Sequence, residues 1–139
     1  MKLVVDASVA LKWYLAFRPN EQHIQEAAAV GEAILTGYAE LIAPSHWSLE
    51  VIAVLARTEP HLVDQALLEL ESMRPKIIAQ PHVVKRAAQL SVQLNHHLFD
   101  TLYHAVALET GAALVTADLS YFEKAKALGS ITLLADFAI

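Results

Sequence analysis

Four carboxylates stand at positions from which their side chains can converge: Asp6, Glu50, Asp100 and Asp118. Asp6 closes the run Lys2-Leu3-Val4-Val5, and Asp118 follows Leu114-Val115-Thr116-Ala117. Both runs are short and apolar, the pattern of a strand buried on both faces, and both lead into helical-looking sequence. Parallel strands carry such residues to one edge of a sheet, where ligands of open α/β folds bind. Asp100 opens the helix that leads into the second of these strands. Glu50 lies about one turn into the helix after another strand, Leu41-Ile42-Ala43-Pro44, which leaves the same edge. Converging carboxylates repel one another and cannot all stay ionised without counter-charge. Hard divalent cations, Mg2+ or Mn2+, supply it through oxygen ligands, and such a site suits phosphodiester hydrolysis.

Each residue taken alone also has a plainer reading. An Asp at a strand end caps the following helix, Asp100 compensates a helix dipole, and Glu50 is a solvated helix residue. All four falling at one sheet edge is what capping alone does not account for. Ser8 and Thr116 fit two roles equally, hydrogen-bonding the site's carboxylates or water, or capping local backbone. His46, His96, His97 and His104 raise zinc ligation as a minor reading, although the adjacent His96 and His97 cannot point the same way. Trp13, Tyr14 and Trp47 read as core or subunit-interface residues rather than base-stacking platforms.

The elements that must position these groups follow from periodicity and punctuation. The spacing predicts a short helix over 9–16, a helix over 21–35 capped by Asn20, and one over 46–58 capped by Ser45 with a stripe of Leu49, Ile52, Ala53 and Ala56. Further helices are expected over 61–73, 81–94, from about Phe99 to Gly111, and 120–128, with strands at 41–44, 76–79, 113–116 and 131–134. Strands alternating with helices imply right-handed crossovers and a parallel sheet of about five strands covered on both faces. A length of 139 residues fits one domain, 1–139, able to bury a real core.

Composition limits the partners. The chain is 55% hydrophobic and 18% charged, which suggests an extensive core, a buried partner surface, or both. No run approaches the roughly 18 apolar residues of a membrane span, and no signal peptide is read at the start, so the expected location is cytoplasmic. The chain has no cysteine, hence no disulfide and no thiolate ligand or nucleophile. A net charge of −5 with scattered basic residues argues against a broad basic face for nucleic acid. A nuclease of this balance requires cations, or basic residues lent by a partner, to offset its carboxylates.

Taken together, Leu3-Val4-Val5-Asp6-Ala7-Ser8, Pro44 and Glu50 in Pro-Ser-His-Trp-Ser-Leu-Glu, Phe99-Asp100-Thr101-Leu102-Tyr103-His104-Ala105-Val106-Ala107, and Leu114-Val115-Thr116-Ala117-Asp118 with Phe122 resemble a PIN domain. The chain is most similar to the VapC-type toxins of prokaryotic type II toxin–antitoxin pairs, and the resemblance runs from the first strand to the last. It implies a PIN-like three-layer α/β/α sandwich and a Mg2+- or Mn2+-dependent endoribonuclease. Asp6, Glu50, Asp100 and Asp118 match the family's acidic quartet without departure, and Thr116 matches its frequent hydroxyl neighbour. By this resemblance Asp6 and Asp100 ligate metal directly, while Glu50 and Asp118 complete the shell directly or through water. It also implies a homodimer silenced by a small antitoxin that inserts a C-terminal segment across the site. Lys12, Arg18, Lys85 and Arg86 are candidate phosphate contacts.

Other classes fit less well. A receiver domain wants an acidic pair at the first strand and a lysine after the last, whereas Asp6 is followed by Ala7-Ser8 and the last strand leads to Leu134-Ala135-Asp136. A haloacid-dehalogenase-type phosphatase wants Asp-X-Asp, and Ser8 holds that third position. A non-catalytic PIN-like binding module is the remaining alternative.

Overall fold

A computed structural model describes residues 1–139. The β-branched run Lys2–Val5 forms β1, the central strand of a five-stranded parallel sheet. The other strands are β2 (Glu40–Pro44), β3 (Lys76–Ile78), β4 (Ala113–Thr116) and β5 (Ile131–Leu133), and the spatial order is β3-β2-β1-β4-β5. Leu3 pairs with Leu41 on one side and Ala113 on the other, while Val5 aligns with Val115. Pro44 is tolerated because it is the last residue of β2, opposite Ile78, where the ladder ends. Leu3, Val4 and Val5 are at most 2% exposed, as expected for a strand covered on both faces.

The chain first winds outward from β1 to β2 and β3, then returns to add β4 and β5 on the other side. Right-handed crossovers therefore place the helices between β1 and β3 on one face and those after β3 on the opposite face. The first group comprises α1 (Ala7–Ala10), α2 (Lys12–Leu15), α3 (Ile24–Leu35), α4 (Trp47–Thr58) and α5 (Val63–Ser72). The second comprises α6 (Pro81–Leu94), α7 (Leu98–Thr110) and α8 (Leu119–Ala125). Helix α7 lies across β2, β1 and β4, with α6 packed beside it. Its segment Thr101 to Ala107 is buried. This is the three-layer α/β/α sandwich expected, and no helix is long and apolar enough to cross a membrane.

Local differences from expectation have physical causes. The first helix is two short turns meeting at Leu11, whose backbone stays right-handed helical. Helix α3 starts at Ile24, preceded by His23 in a left-handed conformation, so Asn20 is no cap. Ser45 is no cap either, since α4 starts after His46 without a side-chain cap. Helix α4 buries Trp47, Val51 and Leu55 at i, i+4 spacing, leaving Leu49, Ala53 and Ala56 exposed. That helix is apolar nearly all round, so its periodicity does not select a face. Trp47 belongs to the core at 1% exposure, and the Trp13 indole donates to the Ala27 carbonyl at 2.8 Å.

Candidate metal centre

Reversal of strand order at β1 opens a crevice between the carboxyl ends of β1 and β4. Asp6 leaves β1 with extended backbone angles and caps α1. Its Oδ2 accepts from the Ser8 amide at 3.1 Å and from the Ser8 hydroxyl. That hydroxyl in turn accepts from the Ala117 amide at 3.1 Å, in the turn after β4. Asp118 caps α8, its Oδ1 accepting from the Tyr121 amide at 3.0 Å, while its own amide donates to Thr116 Oγ1 at 3.0 Å. Capping and convergence are thus compatible, because each cap engages only one carboxylate oxygen.

Asp100 sits in the first turn of α7, with Oδ2 3.0 Å from His96 Nε2. Glu50, in the first turn of α4, is neither a free solvated residue nor a core residue. Its Oε1 accepts from the Tyr103 hydroxyl at 2.5 Å and lies 3.1 Å from His46 Nε2, whose N–H is shared with the Phe99 carbonyl at 2.9 Å. The ligand atoms of His96, Asp100 and Asp118 lie within 4.8 Å of one another. Asp6 and Glu50 stand outside that close triplet, yet the charges of Asp100 and Glu50 both act on Asp6.

Burial drives the Asp6 carboxyl up to about 6; Asp100 and Glu50 add to the rise, and the two Ser8 hydrogen bonds oppose it. Glu50 feels burial in the same direction, but hydrogen bonds from His46 and Tyr103 and the charge of His46 hold it below the usual glutamate value. Burial also pushes the Tyr103 and Tyr121 phenols up, reinforced by the surrounding carboxylates, so both remain neutral donors. The lysines and arginines that form ion pairs do so with Glu21, Glu59, Glu109 and Glu123, leaving the quartet with histidine partners only. A donor set dominated by carboxylate oxygens, with no lysine or arginine paired to it, is chemistry that fits a hard divalent cation.

A PIN-domain model matches residues 3–128. The chain belongs to the PIN-domain family. Two solved structures share the fold. PAE2754 from Pyrobaculum aerophilum has a TM-score of 0.62 at 20% identity, covering 97% of this chain and 93% of that one. VapBC2 from Rickettsia felis, solved bound to a DNA fragment from their promoter, has a TM-score of 0.61 at 15% identity, covering 96% and 97%. Among curated proteins, no sequence matches.

In this PIN domain the other residues singled out from sequence divide cleanly. His104 is fully buried: Nδ1 accepts from the Tyr121 hydroxyl at 2.9 Å and Nε2 donates to the Gly129 carbonyl at 2.8 Å, so the ring joins α7, α8 and the turn before β5. Burial lowers its pKa against that backbone bond. Lys12, Arg18 and Arg86 pair with Glu21, Glu59 and Glu109, whereas Lys85 makes no ion pair. Sequence reasoning missed the hydrogen bonds that His46 and Tyr103 make to Glu50, and His96 as the partner of Asp100. Part of the signal was visible, for each histidine precedes its carboxylate by four residues. Lys124, whose Nζ lies 3.2 Å from His96 Nδ1, gave none.

Proposed function

We propose that the chain, as one domain over residues 1–139, is a Mg2+- or Mn2+-dependent endoribonuclease of the VapC type, the cytoplasmic toxin of a type II toxin–antitoxin pair. One observation carries this reading: Asp6, at the strand switch point, is partly withdrawn from solvent and feels the charges of Asp100 and Glu50, with no lysine or arginine paired to any of the three. Asp6 and Asp100 would hold the metal directly, and Glu50 and Asp118 would complete its shell directly or through water. A bound divalent cation supplies Lewis acidity to a phosphoryl oxygen and lowers the pKa of the attacking water.

The chain's own residues then have defined tasks. Ser8 fixes the Asp6 carboxylate and the β4 tip together. Tyr103 and His46 hold Glu50 Oε1, which keeps Glu50 ionised and leaves Oε2 for metal or water. Thr116 fixes the Asp118 backbone. For the RNA strand, pairing of Lys12, Arg18 and Arg86 with carboxylates leaves exposed Lys85 as the strongest of the four candidates for a phosphate contact. Exposed Phe17, Leu35, Leu49, Leu68 and Phe99 supply apolar surface for a homodimer and for an antitoxin. The likeness to a VapBC structure supports the toxin–antitoxin assignment.

The test is cleavage of structured RNAs, transfer RNAs included, by purified protein with Mg2+ or Mn2+, beside a chelator control and Asp6→Asn. Metal-dependent cutting lost in Asp6→Asn is expected. Cutting by Asp6→Asn at the wild-type rate, or inert protein that binds no Mn2+, overturns the reading, the latter in favour of a non-catalytic PIN-like module.

A further inference from the structure

His96 lies in the break between α6 and α7, where Asn95 takes a left-handed conformation and ends α6. Ser91 grips its main chain from both sides: the His96 amide donates to the Ser91 carbonyl at 3.1 Å, and the His96 carbonyl accepts from the Ser91 hydroxyl at 2.5 Å. The ring stands edge-on to Tyr121, with centroids 4.9 Å apart. Backbone and ring plane are therefore both fixed, and the remaining variable is which ring nitrogen carries the proton.

Two partners decide that variable, Asp100 at Nε2 and Lys124 at Nδ1. The Lys124 Nζ lies 3.1 Å from the Asn95 carbonyl and 3.2 Å from His96 Nδ1. An ammonium group has only donors, so Nδ1 must accept. An imidazole whose Nδ1 accepts carries its single proton on Nε2, and Nε2 faces Asp100 Oδ2 at 3.0 Å. The Nε2–H then donates to the carboxylate. A nitrogen that carries a proton has no lone pair for a metal. Thus His96, although its ligand atom lies within 4.8 Å of those of Asp100 and Asp118, is held in the form that cannot ligate.

Resting on the metal-site reading above, we infer that Lys124 locks the His96 tautomer so that His96 positions Asp100 instead of binding metal, and that this lock sets the site's metal preference. Oxygen-only sites suit Mg2+ and Mn2+, whereas an imidazole ligand favours Zn2+, Co2+ and Ni2+. Were Nε2 bare, the same three side chains would form a His-Asp-Asp set attractive to those competitors. Lys124 thereby acts against the wrong metal without touching any metal, a role in which outer groups orient and tune the ligands. Lys124 is exposed and borders an open cavity of about 570 Å3 shared with Ser91, Asn95 and His97, so its replacement leaves no core void.

The test has two arms. In the metal-free protein, long-range 15N–1H correlation spectra of the histidine rings, assigned with His96→Gln, read the tautomer directly. Nε2–H is expected for His96 in the wild type and in Lys124→Arg, with a shift toward Nδ1–H in Lys124→Met. A wild-type Nδ1–H ring, or an Nε2–H ring unchanged in Lys124→Met, overturns the lock. In the second arm, competition between Zn2+ and Mn2+ is measured by calorimetry, with Co2+ absorption reporting nitrogen ligation. Lys124→Met should raise the ratio of Zn2+ to Mn2+ affinity about tenfold, and adding His96→Gln should abolish the gain. An unchanged ratio refutes the selectivity role. If the wild type binds none of these ions, the metal-site reading itself fails, and the selectivity role with it, while the first arm still decides the tautomer.

Discussion

The hydroxyl of Ser8 accepts a 3.1 Å hydrogen bond from the amide of Ala117, a residue 109 positions away in sequence. The same hydroxyl donates to Asp6, so one side chain joins the tips of β1 and β4 across the crevice. The sheet already pairs the two strands, with Val5 beside Val115 and the Asp6 amide donating to the Val115 carbonyl at 3.0 Å; Ser8 extends that tie beyond the ladder, to the Asp6 carboxylate and the turn that leads to Asp118. Ser8 therefore converts two separate helix caps into one site.

Ser8→Ala tests this. It leaves the Ala117 amide without its partner and removes a hydrogen bond that favours the Asp6 carboxylate. Loss of one such partly buried bond costs about 1 kcal/mol. The expected outcome is that destabilisation in urea unfolding, together with weaker Mn2+ binding by calorimetry. Wild-type stability and affinity would mean that the two strand tips are held by the sheet alone.

Asp6 gives a pH signature. Its folded pKa, about 6, lies above the ordinary aspartate value of 3.8, so the folded state holds the proton more tightly than the unfolded one. Ionisation then costs stability as pH rises from about 4 to 6, a loss of about 3 kcal/mol that is complete near neutrality. Asp6→Asn should remove that loss, making the metal-free protein more stable than wild type at pH 7 but not at pH 4, while abolishing cleavage. Mn2+ should raise the wild-type melting temperature more at pH 7 than at pH 5, since Asp6 is mostly protonated at the lower pH and its proton competes with the metal. Urea unfolding of both proteins across this range, with and without Mn2+, checks each statement.

The strand-end carboxylates were legible in the sequence because a four-residue apolar strand that ends in Asp leaves little choice of geometry, as at Val5-Asp6. The parallel α/β/α architecture followed from alternation. Glu50 was less legible: α4 is apolar on several sides, and the observed core face of Trp47, Val51 and Leu55 is not the Leu49, Ile52, Ala53 and Ala56 stripe that spacing suggested. The Lys124–His96 contact was not legible at all. Its partners are 28 residues apart, on α8 and in the α6–α7 turn, and only the docking of those elements brings them together. Periodicity encodes which face of an element is buried; it carries no information about what two elements place side by side.

Tyr103 and Glu50 meet only through tertiary structure, with the phenol donating at 2.5 Å from the buried middle of α7. That bond favours the ionised Glu50 carboxylate, so Tyr103→Phe should raise the Glu50 pKa. Asp6, which ionises at higher pH, masks Glu50 in a pH–rate profile, so the shift is read by 13C NMR titration of the Glu50 side-chain carboxyl in the metal-free protein. Losing a hydrogen bond to a charged group also costs about 1.5–3 kcal/mol of stability. A Glu50 titration unmoved in Tyr103→Phe would show that the phenol does not hold the carboxylate ionised.

His104 supplies the opposite pH dependence from Asp6. Its buried ring is neutral, and its pKa is lowered from 6.5, so the stability it contributes is fully present above pH 6.5 and is lost as pH falls through the folded value. His104→Phe keeps the ring volume but strands the buried Tyr121 hydroxyl and removes the ring partner of the Gly129 carbonyl. At pH 7.5 the cost should be about 2–4 kcal/mol. The gap should narrow at pH 5.5, where the wild type has given up part of its advantage by having to bury a proton-seeking ring. Measured in the Asp6→Asn background, where the opposing titration is gone, the narrowing isolates His104. A gap equal at both pH values would mean that the imidazole titrates alike in the folded and unfolded chain, and that its two hydrogen bonds do not hold it neutral.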